Sequence, residues 1–242
     1  MNFENKEPTG SLYSRFPFPN HPSHIVGARS YAEKFLKTVV PQNMLFLGCG
    51  TGEEVIGVAS VLDQAKTITC VEPNRSSVEL AESNLKPLNA DIYHLDISSF
   101  AALDRKYSYD FIWCSGVLHH TLDPQGNLRN IRKLISDTGL LVLGMYHNAR
   151  WKLNEGTLAT ADISEAQIQD TMNNPLEITM GWREYLQFVS DGGFEILSVN
   201  HKYRLPRPKN SLMCLAYDAI WNLRRIQMMS VSCRPKPQLH FA

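Results

Sequence analysis

The segment LFLGCGTGEE, residues 45–54, constrains the fold of this 242-residue chain more than any other stretch. Three apolar residues lead into glycines at every second position, Gly48, Gly50 and Gly52, and two carboxylates follow at once. Glycine tolerates positive φ and allows another group to approach the backbone closely. A buried strand that ends in such a turn and continues into a helix is typical of the ligand-binding edge of an open α/β sheet.

Apolar and amphipathic segments alternate along the chain from residue 43 onward. The apolar runs predict strands at residues 44–47, 67–71, 92–94, 109–114 and 140–145. Helical patterns lie between them, at about residues 53–62, 75–85, 97–103 and 124–135. Alternation of this kind with short connections predicts a doubly wound, Rossmann-like α/β fold, in which helices cover both faces of a mostly parallel sheet.

Capping and stop signals refine these boundaries. Asn74 or Ser76 can cap the second helix, Asp123 caps another just before a proline, and Gly139 is expected between a helix and a strand. Further along, GWREYLQFVSDGGFEILSVNHKY predicts a helix, a Gly-Gly stop and a strand. NSLMCLAY, residues 210–217, predicts the last strand, and the last ten residues are expected to fray.

We divide the chain into three parts. Residues 1–42 form an N-terminal arm and a helix at residues 28–40, residues 43–217 form the sheet domain with a polar insertion at about residues 146–180, and residues 218–242 form a C-terminal helix and tail. The first 25 residues show no periodicity, yet YSRFPFPNHP carries three aromatic residues that need a surface to cover. Its prolines limit the entropy lost on ordering. We expect this arm to fold over the ligand pocket as a lid; permanent packing on the flank of the domain is the alternative.

Composition argues against several classes of protein. Lys plus Arg equals Asp plus Glu at 24 each, so the chain lacks the overall positive charge of a general nucleic-acid binder. The sequence contains no run of 18 apolar residues, so no transmembrane helix is predicted. The N-terminus lacks the pattern of a signal peptide. The five cysteines show no C-x-x-C spacing, which favours buried, reduced thiols and no metal site. These observations predict a cytoplasmic protein without membrane contacts, and they leave its oligomeric state open.

The residues around the glycines discriminate between ligands. A dinucleotide-binding turn reads G-x-G-x-x-G, whereas this chain reads G-x-G-x-G-E-E, so Glu53 takes the place of the third fingerprint glycine. Two carboxylates in the first helical turn would repel a pyrophosphate, which binds at a helix N-terminus. They suit a cationic ligand without phosphate, such as S-adenosylmethionine. The alternative is a tight turn that binds nothing.

Acidic residues follow the second and third apolar runs. Glu72 ends TITCVE and lies 20 residues after Gly52, where a carboxylate can accept hydrogen bonds from both ribose hydroxyls. Asp96 follows the third run, where it can accept from an adenine amino group while the Ile97 backbone holds the ring. The alternatives are a surface glutamate that ends a strand and an aspartate that caps the helix at residues 97–103.

Ring side chains follow the fourth and fifth apolar runs. His119 and His120 of SGVLHHTLDP are expected at the carboxyl end of the fourth strand, and Tyr146 and His147 at the end of the fifth, all on the ligand side of the sheet. A histidine in this position can act as a base near neutral pH. For either of the adjacent histidines, a packed neutral ring bonded to backbone is the alternative.

Together, these motifs resemble those of the class I S-adenosylmethionine-dependent methyltransferases. LFLGCGTGEE is similar to the first motif of that family, CVEPN to its second-strand acid, HLDISS to its adenine-side acid, and GVLHHTLDP to a subgroup that reads GVLHH-x-x-DP. The likeness covers about residues 43–150, and Leu47 departs from it because an acid often stands there in the family. It implies a sheet of about seven strands, one of them antiparallel, and S-adenosyl-L-methionine as cofactor. The cofactor-binding residues that it implies are Gly48, Gly50, Thr51, Gly52, Glu72, Asp96, Ile97 and Ser115.

The resemblance implies methyl transfer, in which the protein supplies alignment and, for a hydroxyl or carbon acid, a base. The catalytic candidates are His119, His120 and Tyr146. An N-P-P-Y-type motif is missing after the fourth strand, which argues against DNA-base and glutamine N-methylation and favours a small-molecule acceptor. The alternatives are an RNA or protein methyltransferase that uses the basic stretches RLPRPK and NLRRIQMM, a non-catalytic S-adenosylmethionine-binding module, and an oxidoreductase, which Glu53 disfavours.

Overall fold

The structure is a computed structural model that describes residues 9–103, 108–148, 165–174, 176–200, 206–224, 226 and 228–237. Its helices are α1 (Thr9–Arg15), α2 (Ser23–Phe35), α3 (Glu53–Ala59), α4 (Arg75–Asn84), α5 (Ile97–Ala101), α6 (Pro124–Leu134), α7 (Glu165–Asn173), α8 (Trp182–Asp191) and α9 (Ser211–Arg224). Its strands are β1 (Asn43–Leu47), β2 (Thr67–Val71), β3 (Asp91–Tyr93), β4 (Tyr109–Ser115), β5 (Ile135–Tyr146), β6 (Phe194–Val199) and β7 (Met228–Pro235). Short 3₁₀ turns span Lys86–Leu88 and Leu118–His120.

These strands form a mixed sheet of seven, in the order β3-β2-β1-β4-β5-β7-β6. The pairs β1–β2, β2–β3 and β4–β5 are parallel, whereas β7 runs antiparallel to both β5 and β6. The side chains of Met44–Leu47 and Phe111–Cys114 are buried throughout, as expected of parallel strands covered on both faces. The predicted fold class, a mostly parallel sheet of about seven strands with one antiparallel strand, is confirmed.

The chain groups into two compact units, and the first comprises residues 1–96 and 152–177. In this unit, β1 pairs with β2 and β2 with β3, and α2 packs closely on α3. An ideal Cβ at Gly57 would lie 2.5 Å from the Ile25 carbonyl oxygen, so glycine allows the two helices to approach. Asn74 caps α4, as one of the two predicted alternatives, because its side chain accepts a hydrogen bond from the Ser77 amide.

The second unit comprises residues 97–151 and 178–242 and contains β4, β5, β7 and β6. The predicted cap of α6 is confirmed: the Asp123 side chain accepts from the Gly126 amide, and a proline follows at the first helical position. The predicted helix, Gly-Gly stop and strand are present as α8, Gly192-Gly193 and β6.

The prediction of a strand at residues 210–217 is wrong, since this segment begins helix α9. The Asn210 side chain accepts from the Met213 amide at 2.9 Å and so caps the helix. The buried residues Cys214, Tyr217 and Trp221 follow with helical spacing. A short apolar run fits a strand or a helix equally well, and here the cap at Asn210 favours the helix.

Other parts of the chain also differ from the sequence-based expectations. The last strand is β7, which includes part of the stretch expected to fray, and its ladders with β5 and β6 hold it despite its final proline. Gly139 lies inside β5 rather than beyond α6, and its ideal Cβ would lie 2.5 Å from Ile135 Cγ1, so packing requires this glycine. The arm contains a helix, α1, and α2 begins at Ser23 rather than at residue 28.

The burial of the cysteines agrees with the sequence-based interpretation. Cys49, Cys70, Cys114, Cys214 and Cys233 are all buried and form no disulfide. Burial raises the pKa of Cys114 and of Cys233 well above the ordinary value of a thiol. Within the described ranges, every helix is too short or too polar to cross a membrane. The division of the chain at residues 42 and 217 stays a prediction.

Candidate active site

The glycine turn follows β1 in the first unit and is left-handed at each of its three glycines. The φ angles are 63° at Gly48, 55° at Gly50 and 98° at Gly52, values that residues with a side chain rarely adopt. The Gly48 amide donates to the Val71 carbonyl at 2.8 Å, which ties the turn to the end of β2. The sequence therefore places glycine where the backbone of this turn requires it.

Glu72, the first residue after β2, is buried and holds the turn from the other side. Its Oε2 accepts from the Gly50 amide and its Oε1 from the Asn74 amide, both at 2.9 Å. Burial raises the pKa of this carboxyl, while the two amide hydrogen bonds oppose that shift. Because each carboxylate oxygen can accept a second hydrogen bond, Glu72 retains acceptor capacity toward a ligand.

Thr51 and Glu53 act inside the turn. Both are buried, and the Thr51 hydroxyl donates to the Glu53 carboxylate. The same hydroxyl oxygen accepts from the Asn20 amide at 2.9 Å, and the Thr51 carbonyl accepts from Asn84 Nδ2 at 2.9 Å. The Glu53 carboxylate therefore stabilises the turn through Thr51, a role that the charge argument from sequence did not predict.

The N-terminal arm, residues 9–24, contacts the glycine turn through its backbone. The Phe18 carbonyl accepts from the Thr51 amide at 3.0 Å. An ideal Cβ at Gly50 would overlap with that carbonyl oxygen. The group that approaches the Gly50 backbone closely is thus the Phe18 carbonyl of this same chain.

A second set of contacts fastens the arm to α7 and α4. The Tyr13 hydroxyl donates to Asp170 Oδ1 at 2.7 Å, and Asn174 Nδ2 donates to the same oxygen at 2.7 Å. Asn74 Nδ2 donates to Ser14 Oγ at 2.9 Å. Asp170 is buried, so its hydrogen bonds replace the water that the carboxylate has lost. Nothing in the sequence signalled these contacts, because Tyr13 and Asp170 are 157 residues apart.

Substituting Tyr13 with phenylalanine is expected to release the arm while the sheet stays folded. The change removes the hydrogen bond to a buried carboxylate, an interaction worth about 1.5–3 kcal/mol, and also the bond that the Tyr13 hydroxyl accepts from Asn174 Nδ2 at 3.0 Å. Amide hydrogen exchange within residues 9–20 should then be faster by roughly 10- to 100-fold, while exchange in β1 and β2 stays unchanged. Asp170→Asn, which keeps an acceptor but loses its charge, should have a smaller effect. Unchanged exchange in the arm of Tyr13→Phe would show that this contact does not hold it.

Asp96 and Ile97 follow β3, and Ser115 ends β4. Asp96 is exposed and Ile97, the first residue of α5, is buried. Ser115 pairs with Gly144 of β5, where an ideal Cβ would lie 2.5 Å from Ser115 Oγ. The next residue, Gly116, has a φ of 77° and open space around its ideal Cβ position. The cofactor contacts predicted for Asp96, Ile97 and Ser115 stay predictions.

Three catalytic candidates come together in the second unit as a ring cluster of His119, His120 and Tyr146. The ring centroid of His119 lies 3.9 Å from that of Tyr146 and 4.1 Å from that of His120. The centroids of His120 and Tyr146 are 5.8 Å apart. His119 is fully buried, whereas His120 and Tyr146 are partly exposed. The three rings are inclined to one another by 37° to 82°, so the cluster can offer ring faces and edges to an aromatic ligand and an imidazole that accepts a proton.

His147 makes a different set of contacts. Its Nε2 lies 2.9 Å from Asp218 Oδ1, which also accepts from the Trp182 amide at 2.8 Å. The ring is fully buried and its centroid lies 6.4 Å from that of Trp221. These contacts join the end of β5 to α8 and α9, so we assign His147 a structural role. In the described ranges, no group of three His, Cys, Asp or Glu residues is arranged to hold a metal ion.

Residues 45–141 match the family model described as a methyltransferase domain. The matched segment contains the glycine turn, Glu72, Asp96, Ser115 and both histidines of the ring cluster. It thus supports the resemblance to methyltransferases that the motifs indicated. The finer assignment to the GVLHH-x-x-DP subgroup stays a prediction.

A curated relative matches most of the chain. An uncharacterized protein from Synechococcus sp. (strain ATCC 27144 / PCC 6301 / SAUG 1402/1) is 26% identical over 212 residues, which cover 80% of this chain and 47% of the relative. The chain therefore spans about half the length of this relative.

Solved structures share the fold, among them the following two. PKMT2 from Rickettsia typhi, in complex with AdoHcy, superposes with a TM-score of 0.64 at 13% identity, covering 90% of this chain and 55% of that one. The plantazolicin methyltransferase BpumL, in complex with a monoazolic desmethylPZN analog and SAH, has a TM-score of 0.56 at 15% identity, covering 98% and 88%. At these identities the likeness concerns the fold alone.

Proposed function

We propose that this chain is an S-adenosylmethionine-dependent methyltransferase that acts on a small-molecule acceptor. The observation that carries the proposal is Glu72, a buried carboxylate at the end of β2 that is tied to a left-handed glycine turn. When bound, S-adenosylmethionine supplies a methyl group on a sulfonium cation, and the protein supplies binding, alignment and the removal of a proton.

The first unit offers groups that fit the cofactor. The two oxygens of Glu72 can each accept one more hydrogen bond, which matches the two hydroxyls of a ribose. The acids at the start of α3 oppose a pyrophosphate at that helix end, which favours a ligand without phosphate. The residues that we propose to hold the cofactor are Gly48, Gly50, Thr51, Gly52, Glu72, Asp96, Ile97 and Ser115.

The ring cluster supports a planar acceptor with an acidic proton. Of its members, His120 and Tyr146 are partly exposed, whereas His119 is fully buried between the other two rings. A base must reach the acceptor, so we assign that role to His120 and a supporting role to His119. The BpumL structure, which shares the fold, was solved with a desmethylPZN analog, so this fold can hold an acceptor of the natural-product type.

Calorimetric titration tests the cofactor assignment directly. The protein is titrated with S-adenosylmethionine, S-adenosylhomocysteine and NAD under identical conditions. Saturable binding of the first two and none of NAD is the expected result. Binding of NAD alone would refute the proposal and indicate that the protein is an oxidoreductase. Tight binding of S-adenosylmethionine without turnover on any of a broad set of planar hydroxylated acceptors would favour a non-catalytic module.

Substituting the histidines one at a time separates catalysis from packing. His120→Gln is expected to lower kcat by about 10²–10⁴-fold on the accepted substrate, the usual contribution of a general base, with little change in cofactor affinity. His119→Gln should instead lower the thermal midpoint, because a fully buried ring is replaced. Tyr146→Phe keeps the ring contact and removes the phenol, so its turnover shows whether the hydroxyl of Tyr146 takes part in catalysis. Full turnover in the His120 variant would mean that catalysis depends on alignment alone or on Tyr146.

A further inference from the structure

A groove in the second unit lies outside all the residues discussed above as cofactor or acceptor contacts. It has a volume of about 650 Å³ and lies between α8, β6 and the start of α9. Among the described residues, four cationic side chains line it, those of Arg183, Arg207, Lys209 and Lys236, and we call it the cationic groove. A chain with equal numbers of acids and bases thus concentrates positive charge at this site.

The carboxylate that lines the groove is already paired with arginine side chains. Glu195 is the one carboxylate among the lining residues that the structure describes; it forms an ion pair with Arg234 and lies 3.8 Å from Arg207. In the part of the chain that the structure describes, Arg183 and Lys209 have no carboxylate within ion-pairing distance. Uncompensated cations that converge on one groove attract an anionic partner.

An apolar stripe on α9 begins where the groove ends. Lys209, Asn210 and Ser211 line the groove, and Leu212 is the next residue. The exposed fractions of Leu212, Leu215 and Leu223 are 76%, 66% and 83%, although these residues lie on a helix whose opposite face is buried. Large exposed apolar side chains aligned on one helix face indicate a surface for another protein.

We propose that the cationic groove and the leucines of α9 together bind an acidic amphipathic helix of a partner protein. Acidic side chains of that helix would pair with Arg183 and Lys209, and its apolar side would cover Leu212 and Leu215. Among the groove residues that the structure describes, the one aromatic residue, Phe194, is fully buried and offers no ring for base stacking, so a nucleic acid fits less well.

A labelled model peptide tests the proposal on the intact chain. The probe is a fluorescein-labelled, 21-residue peptide made of three repeats of the sequence LEELLEE, and its binding is followed by fluorescence anisotropy. We expect saturable binding that weakens as salt rises. Arg183→Glu/Lys209→Glu should raise Kd at least about tenfold, since it places like charges opposite each other. Leu212→Ser/Leu215→Ser should raise Kd severalfold through lost apolar contact.

Matched controls exclude general effects of charge and surface polarity. Lys66→Glu/Arg129→Glu makes the same change of net charge at exposed positions elsewhere, and Val26→Ser/Val40→Ser removes other exposed apolar groups. Both should leave Kd unchanged. If Arg183→Glu/Lys209→Glu fails to fold, Arg183→Gln/Lys209→Gln provides the same comparison with a smaller shift.

Three results would overturn the proposal. The first is no binding of the acidic peptide up to millimolar concentration. The second is binding that the groove variants do not weaken. The third is tight binding of a fluorescein-labelled 20-mer of uridylate that depends on Arg183 and Lys209 but not on Leu212 and Leu215, which would assign the groove to phosphate recognition.

Discussion

Glu72→Ala is expected to weaken cofactor binding by about 1.5–3 kcal/mol and to cost the protein about 2–4 kcal/mol of its free energy of unfolding. The stability loss follows because the Gly50 and Asn74 amides lose their acceptor at a buried position, where each unmatched donor costs about 1–3 kcal/mol. The weaker binding follows from the proposed role of Glu72 toward the ribose, since a hydrogen bond to a charged group contributes about 1.5–3 kcal/mol. Calorimetry with S-adenosylhomocysteine and urea denaturation measure the two effects separately.

Two further variants show whether the effects belong to this carboxylate. Glu72→Gln keeps the shape and one acceptor oxygen but places an amide NH₂ against one of the two donors, so we expect an intermediate loss of stability. Glu79→Ala removes an exposed carboxylate of α4 that pairs with Arg75 and should change stability by less than about 0.5 kcal/mol. Cofactor affinity that survives in Glu72→Ala would refute the ribose assignment while leaving the structural role intact.

Gly50→Ala is expected to destabilise the protein by about 2–4 kcal/mol and to displace the N-terminal arm. Two costs combine at this position. A residue with a side chain is strained at a φ of 55°, and its Cβ would overlap with the Phe18 carbonyl oxygen that accepts from the Thr51 amide. Because this amide belongs to the glycine turn, we also expect cofactor binding to be lost.

Gly116→Ala is the matched control for Gly50→Ala. Gly116 also has a positive φ, 77°, but its ideal Cβ position meets no atom within 4 Å. It should therefore show only the conformational cost, about 1 kcal/mol. The difference in unfolding free energy between the variants measures the contact between arm and turn, and hydrogen exchange in residues 9–20 shows whether the arm is released. Equal losses in both variants would mean that this contact contributes nothing.

The sequence was a reliable guide wherever the interacting groups lie close along the chain. The caps at Asn74 and Asp123 satisfy amides three residues away, and a glycine at positive φ depends on its own backbone alone. The continuous apolar runs predicted the parallel strands because burial on both faces leaves little room for polar residues. Glu72 could be placed at the end of a strand because it directly follows one of these apolar runs.

Local patterns failed where two structures fitted them equally well. The apolar run at residues 210–217 was assigned to a strand, yet its cap and the burial of Cys214, Tyr217 and Trp221 make it a helix. Gly139 was taken as a helix stop, although packing against Ile135 explains it. In both cases the residues that decided the structure cannot be identified from the sequence pattern of one segment.

What the sequence by itself determined is therefore the order of helices and strands, the left-handed glycine turn and the acid that follows β2, since each depends on neighbouring residues and on burial. The tertiary structure decided how these parts are used. It filled the space at Gly50 with the Phe18 carbonyl, and it joined Tyr13 to Asp170 across 157 residues and His147 to Asp218 across 71. Contacts over such separations depend on how whole elements pack, because many pairings are compatible with any single segment and only the complete fold selects among them.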